Sequence, residues 1–316
     1  MSLNRGTSIG TPKVFVDYIS YLRAVNAIDS YEGQANVWDM NPSRTISLEQ
    51  DEEATINFNV DDDPDVVSLL SASSYLAVLG QDVAPDSFSA KFGNQEISQI
   101  PSSIYAPVSQ SQEYAGYTIF NPKMPLSGLK DSFTFSTNKD CNIGCVSIGR
   151  SFTFPNAPDL DVKYSLSHEG ISSKRTLSGR DVVNINYYKA PNWVGRRPWT
   201  SGQSDENYSK TGYNGRRTWQ VKFSYVDHTN MMPLNTNENF LFDKPSSGLF
   251  LSISPATEDI MANFLSLTMN GTLKFIFQPN KDEDQFSMCR LAKNKTTITQ
   301  VAHKTYDVSF TFVEAW

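Results

Sequence analysis

The segment 189–222 holds the residues whose types are best suited to binding a partner. It contains seven Lys or Arg residues against two acidic ones, and aromatic side chains are interspersed among the basic ones. Arginine, tryptophan and tyrosine contribute most to protein interfaces, and the same mixture can stack nucleic-acid bases and hold phosphates. The candidate interface residues are Trp193, Arg196, Arg197, Trp199, Arg216, Arg217 and Trp219.

The charge of the whole chain helps to choose between the interpretations of this segment. The net charge is −7, so a basic surface on one copy can dock on an acidic surface of another copy. We therefore predict a subunit interface, with a solvated loop as the alternative, and we do not expect nucleic-acid binding. This interpretation predicts that Arg216→Glu combined with Arg217→Glu leaves a folded but assembly-defective protein.

The chain lacks the common residue patterns of catalytic sites. There is no Gly-x-Ser-x-Gly turn, no phosphate-binding glycine loop ending in Gly-Lys-Ser/Thr, and no His-Glu-x-x-His. His168, His228 and His303 each stand without a second histidine at the spacing of metal ligands. The sequence therefore predicts a protein that is not an enzyme, with no catalytic residues and no cofactor.

Two acidic runs, 49–53 and 61–65, are the remaining candidates for ligand chemistry. The run 61–65 could offer oxygens to Ca²⁺, but it lacks the glycine and the terminal glutamate of a helix–loop–helix calcium loop. We predict that it is a solvated loop and that the chain has no metal site, with Ca²⁺ binding as the alternative.

The three cysteines indicate a reducing environment. Cys141 and Cys145 lie in a predicted strand, 141–148, where they would share one face about 13 Å apart, too far for a disulfide. Residues 1–12 lack the apolar run of a signal peptide, and no apolar stretch reaches the length of a membrane span. We expect a soluble protein that is made in the cytoplasm and has no membrane partner.

The elements that would position these residues are mostly short strands. Residues 1–43 read as an extended arm followed by a short helix or strand, and 44–150 contains short strands separated by Gly, Pro, Asn and Ser turns. The continuous apolar run 75–80 suits a strand that is covered on both faces. This regular spacing predicts an antiparallel β-sandwich or jelly roll over residues 44–150.

Residues 151–316 read as a second, α+β unit. A hairpin is expected between 161–167 and 174–177, closed around Gly170. One helix is expected at about 255–268, because Ser254 and Pro255 suit a helix start and Asn270-Gly271 suits a helix end. Residues 306–313 alternate apolar and polar side chains, as a half-buried strand does.

Five segments of this second half share the pattern of a known family. They form a strand with an Arg-Arg lead-in, a helix, a Phe-x-Phe-x-Pro strand, a further segment and a final strand ending in Glu. These segments are 215–225, 259–267, 273–279, 285–290 and 308–314. The pattern resembles tail proteins of tailed bacteriophages of the distal-tail and minor-tail type. The resemblance implies a tail-tube-like β domain with one helix, whose subunits join side by side in a ring.

The first half resembles the galactose-binding-type jelly rolls that accompany such domains. Residues 73–82 are similar to their usual Ala-Val-Leu-Gly-His-Asn strand, but Gln81 and Asp82 stand where His and Asn are expected. That difference weakens any inherited role in sugar binding, and only a weak glycan contact is expected. The chain also resembles uncharacterised proteins of marine phages.

Together these resemblances imply a mainly β virion protein with an N-terminal galactose-binding-like jelly roll and a C-terminal tail-tube-like domain. We predict a tail ring or adaptor component, of distal-tail or baseplate type, that forms a homo-oligomer and contacts other phage structural proteins. The alternatives are a carbohydrate-binding receptor module of a fibre or spike and a minor capsid or decoration protein. Its expected location is the virion, assembled in the host cytoplasm.

Overall fold

The structure is a computed structural model of the chain. It describes residues 9–41, 44–59, 64–83, 87–97, 116–122, 124, 131–167, 171–185, 216–227, 260–282, 286–293 and 296–315.

Strands dominate the described residues, and the prediction of a mainly β fold is confirmed. The helices are α1 (Tyr18–Ala24), α2 (Pro64–Ser71) and α3 (Ile260–Leu267), with a 3₁₀ turn at Ala35–Trp38. The strands are β1 (Lys13–Asp17), β2 (Ile28–Glu32), β3 (Ile46–Leu48), β4 (Glu53–Phe58), β5 (Tyr75–Gln81), β6 (Phe88–Phe92), β7 (Gln95–Glu96), β8 (Gly116–Phe120), β9 (Ser132–Thr137), β10 (Cys141–Ile143), β11 (Cys145–Thr153), β12 (Lys163–Ser167), β13 (Ile171–Arg175), β14 (Asp181–Ile185), β15 (Arg216–Asp227), β16 (Phe275–Gln278), β17 (Ser287–Leu291), β18 (Thr297–Ala302) and β19 (Thr305–Glu314).

A ten-stranded antiparallel sheet forms the frame of the molecule. Its order is β12-β15-β19-β17-β16-β1-β11-β5-β8, and β18 pairs with β19 beside this path. The segment after the predicted arm, where a short helix or strand was expected, supplies β1, which pairs with β11 on one side and with β16 on the other. Segments far apart in sequence therefore meet at the middle of the sheet.

A five-stranded sheet, in the order β2-β4-β9-β6-β7, packs against part of this frame. Its strands alternate: Ile56 and Phe133 point into the same buried cluster as Val16 and Val78 of the large sheet, while the intervening side chains are polar. Helix α3 packs over β1, β11 and β16, and the rings of Phe264 and Phe275 are 5.0 Å apart. The two antiparallel sheets therefore share one hydrophobic core.

The opposite face of the large sheet is buried around its middle strands. Phe15, Tyr75, Leu79, Ile276 and Met288 form a second cluster on that side. Strand β5 lies between the two clusters, so all seven of its residues are buried. The apolar run 75–80 is therefore covered on both faces, as predicted.

The two nearby cysteines differ from their prediction. The expected strand 141–148 is interrupted at Gly144, whose N–H donates to the carbonyl of Leu79. Cys141 lies on β10, which pairs with β3, whereas Cys145 lies on β11, which pairs with β5. The two thiols consequently belong to different buried clusters and do not share one face.

The prediction of a hairpin around Gly170 is also wrong, because the two strands that it joined do not pair with each other. Strand β12 pairs with β15, and β13 pairs with β14 to form a separate two-stranded sheet. The turn between β13 and β14 holds Gly179 at φ +82°, a conformation that side chains disfavour. The N–H of Gly179 donates to the carbonyl of Thr176, and Thr176 and Arg180 exchange further hydrogen bonds. The strand after the turn is therefore 181–185.

Helix α3 is described from Ile260, so the predicted start at Ser254 and Pro255 lies outside the described residues. Its end agrees with the prediction: Asn270 and Gly271 have positive φ values. A side chain at Gly271 would collide with Leu291, which fixes glycine at this position.

No break in the large sheet marks the predicted boundary at 150/151. Strand β11 runs through that position, and the sheet takes strands from all three predicted segments, 1–43, 44–150 and 151–316. In the described part of the chain, no helix has the length and apolarity needed to cross a membrane.

Candidate functional site

Four of the seven predicted interface residues, Trp193, Arg196, Arg197 and Trp199, lie outside the described residues. The other three, Arg216, Arg217 and Trp219, lie at the start of β15. That strand runs between β12 and β19, so it is inside the large sheet and is not one of its edges.

Arg217 is bound to Glu314, the last residue of β19. Its Nη2 atom donates to Oε1 at 2.6 Å, its Nε atom donates to the same carboxylate at 3.0 Å, and its backbone N–H donates to Oε2 at 2.9 Å. The Glu314 side chain is only 1% exposed and that of Arg217 15%. Burial acts to lower the pKa of Arg217, but the charge of Glu314 and its hydrogen bonds outweigh that effect and raise the pKa.

Trp219 is buried next to this ion pair. Its ring contacts Tyr164 and Phe277 edge-on, and the Arg217 guanidinium lies 5.3 Å from its ring centroid. Arg217 and Trp219 therefore make contacts between strands inside the protein, and they are not available to a partner chain. Arg217→Glu would place a second carboxylate against Glu314, so the double substitution proposed from the sequence would destabilise the fold and cannot report on assembly alone.

The hairpin β13–β14 is the most exposed structure among the described residues. Every residue whose burial is described there, from Ser173 to Val183, is exposed. Val182 and Val183 are 53% and 56% exposed, and Leu177 in the turn is fully exposed. Lys174 lies opposite Val182 in the strand pairing, and together with Arg175 and Arg180 it gives the hairpin a basic character.

The hairpin follows β12, the strand that ends the large sheet on this side. Within the described part of the chain, β12 is paired only with β15. Tyr164 on β12 is 37% exposed, and Leu160, just before the strand, is fully exposed. We call β12, Leu160 and the hairpin 171–185 the edge surface. A strand edge that is unpaired among the described residues is a site at which another chain can pair, and exposed apolar side chains favour such contacts.

A second charged region, which we call the acidic corner, lies at the turn between β3 and β4. Glu49, Asp51 and Glu53 are exposed, whereas both oxygens of Glu52 accept hydrogen bonds, from the Gln34 side chain and from the Glu49 N–H. The Gln50 N–H donates to Asp140 Oδ1, which holds the turn against the loop that leads to β10. The carboxylates therefore project from an ordered turn.

One polar network lies deep in the large sheet. Asp17 Oδ1 accepts from the Ser147 hydroxyl at 2.9 Å and from the Ile148 N–H at 3.1 Å, while Oδ2 accepts from the Ser20 N–H at the start of α1. The Tyr75 hydroxyl is 2.8 Å from the Ser147 oxygen. Burial raises the pKa of Asp17, although these hydrogen bonds act to lower it.

This network links the end of β1 to the start of α1 and to β11. Asp17 is 2% exposed, and Ser147 and Tyr75 are as deeply buried, so a solute cannot reach the serine without opening the sheet. The thiols of Cys141, Cys145 and Cys289 are also buried, and this burial raises their pKa values. These groups are suited to holding the fold together rather than to attacking a substrate.

The positions that resemble a sugar-binding strand are occupied by contacts within the chain. Gln81 is buried and donates to the Thr118 hydroxyl. Asp82 accepts from both the backbone N–H and the side-chain amide of Asn142.

The structure brings no metal-binding cluster of His, Cys, Asp or Glu together within the described ranges. Of the acidic run 61–65, residues 61–63 lie outside those ranges, and residues 64 and 65 begin α2. The Ca²⁺ alternative therefore stays a prediction.

The edge surface was missed by sequence reasoning, although a signal for it exists. The dipeptide Ser178-Gly179 is a turn marker between two short β-type runs, and it would have placed the hairpin correctly in preference to Gly170. Glu314 carries no comparable signal, because its partner lies 97 residues away in the chain.

Comparisons with known proteins match this chain to nothing: no family model, no curated protein and no solved structure was found to be similar.

Proposed function

We propose that this chain is a non-enzymatic structural subunit of a tailed-bacteriophage virion and that it assembles through its edge surface into a homo-oligomer. The observation that carries the proposal is the exposed hairpin β13–β14, which presents Leu177, Val182 and Val183 to solvent.

The physical argument rests on the stability of small β structures. A two-stranded hairpin whose side chains are exposed is only marginally stable in water, because it buries too little apolar surface to offset the ordering of its backbone. Val182 and Val183 point to opposite faces of the hairpin, so contact with another chain would bury Leu177 and one of these two valines and would stabilise the hairpin. The edge of β12 that is unpaired in the described part of the chain adds backbone N–H and C=O groups that a partner strand can pair with.

The assignment to a virion is supported by the mainly β fold and by the resemblance to distal-tail and minor-tail proteins. Within the virion we propose a tail ring or adaptor of distal-tail or baseplate type, in contact with other phage structural proteins. The alternative of a carbohydrate receptor module receives no support from Gln81 and Asp82, since both side chains are engaged within the chain.

Sedimentation velocity over a hundredfold concentration range, with negative-stain microscopy, tests the assembly. We expect concentration-dependent oligomers with ring-shaped particles. The variant Leu177→Ser should keep the wild-type melting temperature, because the side chain is fully exposed, and should weaken association severalfold. A wild-type chain that stays monomeric at the highest concentration would contradict the proposal.

Immunogold labelling of virions that carry this chain tests its position. Label on the tail supports the ring or adaptor, whereas label on the head would assign the chain to the capsid. Absence of the chain from purified particles would refute the virion role.

A further inference from the structure

We infer that the basic hairpin β13–β14 of one copy docks on the acidic corner of the next copy, so that the subunits join head to tail. This inference rests on the proposed function and deepens it by naming both halves of the contact.

The two regions carry opposite charges. Residues 171–185 include Lys174, Arg175 and Arg180 against a single acidic residue, Asp181. The acidic corner exposes Glu49, Asp51 and Glu53, with no Lys or Arg between positions 49 and 53. Carboxylates, ammonium and guanidinium groups are all charged near neutral pH. The contact would therefore bring opposite charges together around the exposed Leu177 side chain.

The two regions also lie on different parts of the molecule. The hairpin follows β12, at one end of the sheet order. The acidic corner adjoins the β3–β10 pair, which is joined to β5 near the other end by the Gly144–Leu79 and Asp82–Asn142 hydrogen bonds. Seven strand spacings separate β12 from β5 in the sheet order, which corresponds to roughly 34 Å in a flat sheet.

This separation determines the kind of assembly. A contact between two different surfaces of the same chain is heterologous, and its repetition gives a closed ring when the rotation per subunit closes and a filament when it does not. A contact of the hairpin with its own counterpart would instead give a two-fold dimer and would bring two basic surfaces together. The charges favour the head-to-tail arrangement.

Charge reversal on each side, alone and together, tests the pairing by sedimentation velocity. The hairpin variant is Lys174→Glu/Arg175→Glu/Arg180→Glu, and the corner variant is Glu49→Lys/Asp51→Lys/Glu53→Lys. We expect each variant alone to weaken association at least tenfold at low salt. A protein that carries all six substitutions should recover association to within a few-fold of wild type, because the charges are then complementary again.

A matched control reverses three exposed acidic residues at the other end of the five-stranded sheet: Asp29→Lys/Glu96→Lys/Asp131→Lys. It changes the net charge as the corner variant does and should associate as wild type does. Thermal melting of every variant establishes that it is folded.

The outcomes separate the two proposals. If wild type assembles but the corner variant assembles equally well, or if the sixfold variant shows no recovery, the head-to-tail inference is overturned while the structural role stands. If wild type does not assemble at any concentration, the proposed function itself fails.

Discussion

The two faces of the β15–β19 strand pair carry the same kind of ion pair in opposite surroundings. On one face, Arg217 and Glu314 lie at the end of a row of buried side chains that includes Trp219 and Phe312. On the other face, Lys222 contacts Asp307 at 2.9 Å with a side chain that is 42% exposed.

This difference shows that an ion pair takes its energetic weight from its surroundings. Water screens Lys222 and Asp307 and can replace either partner, so the pair contributes little to stability. Glu314 is out of reach of water, so the loss of Glu314 would leave Arg217 with no compensating charge in a desolvated site. Alternation along the strands puts the two pairs on opposite faces, and the core lies on only one of them.

Removal of the buried carboxylate should have the largest effect. We expect Glu314→Ala to lower the free energy of unfolding by about 3–5 kcal/mol, because it leaves Arg217 as an unpaired buried charge. Urea denaturation of the purified variant measures this. The double variant Arg217→Met/Glu314→Met should recover most of the loss, since it removes both charges; a loss below about 1 kcal/mol for Glu314→Ala would show that water reaches the pair.

Asp17 is a third buried or partly buried acidic group, and its hydrogen-bond donors are all neutral. Asp17 is held by Ser20, Ser147 and Ile148 and makes no ion pair in the described structure. We expect Asp17→Ala to cost about 2–3 kcal/mol, because it removes the helix cap and leaves buried donors unsatisfied. The control Ser147→Ala should cost about 1 kcal/mol in the same denaturation experiment. Equal losses for the two variants would contradict this account.

The same residue predicts a pH dependence with a definite sign. The pKa of Asp17 is raised above the ordinary value of 3.8, chiefly by burial. The unfolded state therefore loses this proton first as pH rises, and the stabilisation that is present below pH 3.8 declines above it. The unfolding free energy of wild type minus that of Asp17→Asn should fall between pH 4 and pH 7. A difference that grows with pH would mean that the hydrogen bonds outweigh burial.

The exposed ion pair should show the smallest effect. We expect Lys222→Ala to leave the urea midpoint unchanged within the error of the measurement, because both partners are accessible to water. The neighbouring variant Gln220→Ala, on the same exposed face, is the matched control. A clear loss for Lys222→Ala alone would show that the two faces of the strand pair differ less than their burial indicates.

The sequence by itself determined that the chain is built mainly from strands, and for several of them it determined which faces are apolar. Alternation over 306–313 predicted the buried face of β19, and the uninterrupted apolar run 75–80 predicted a strand covered on both sides. Such patterns are local, because successive side chains of a strand point to opposite faces. They were sufficient for the mainly β class.

Only the tertiary structure decided which strands pair and which polar groups meet. The backbone hydrogen bonds of a ladder are the same for every residue type, so the sequence does not state that β1 lies between β11 and β16. For the same reason Arg217 could be singled out as a basic residue among aromatics, while its partner Glu314 could not be foreseen. Long-range register placed the two residues together and turned a predicted surface group into part of the core.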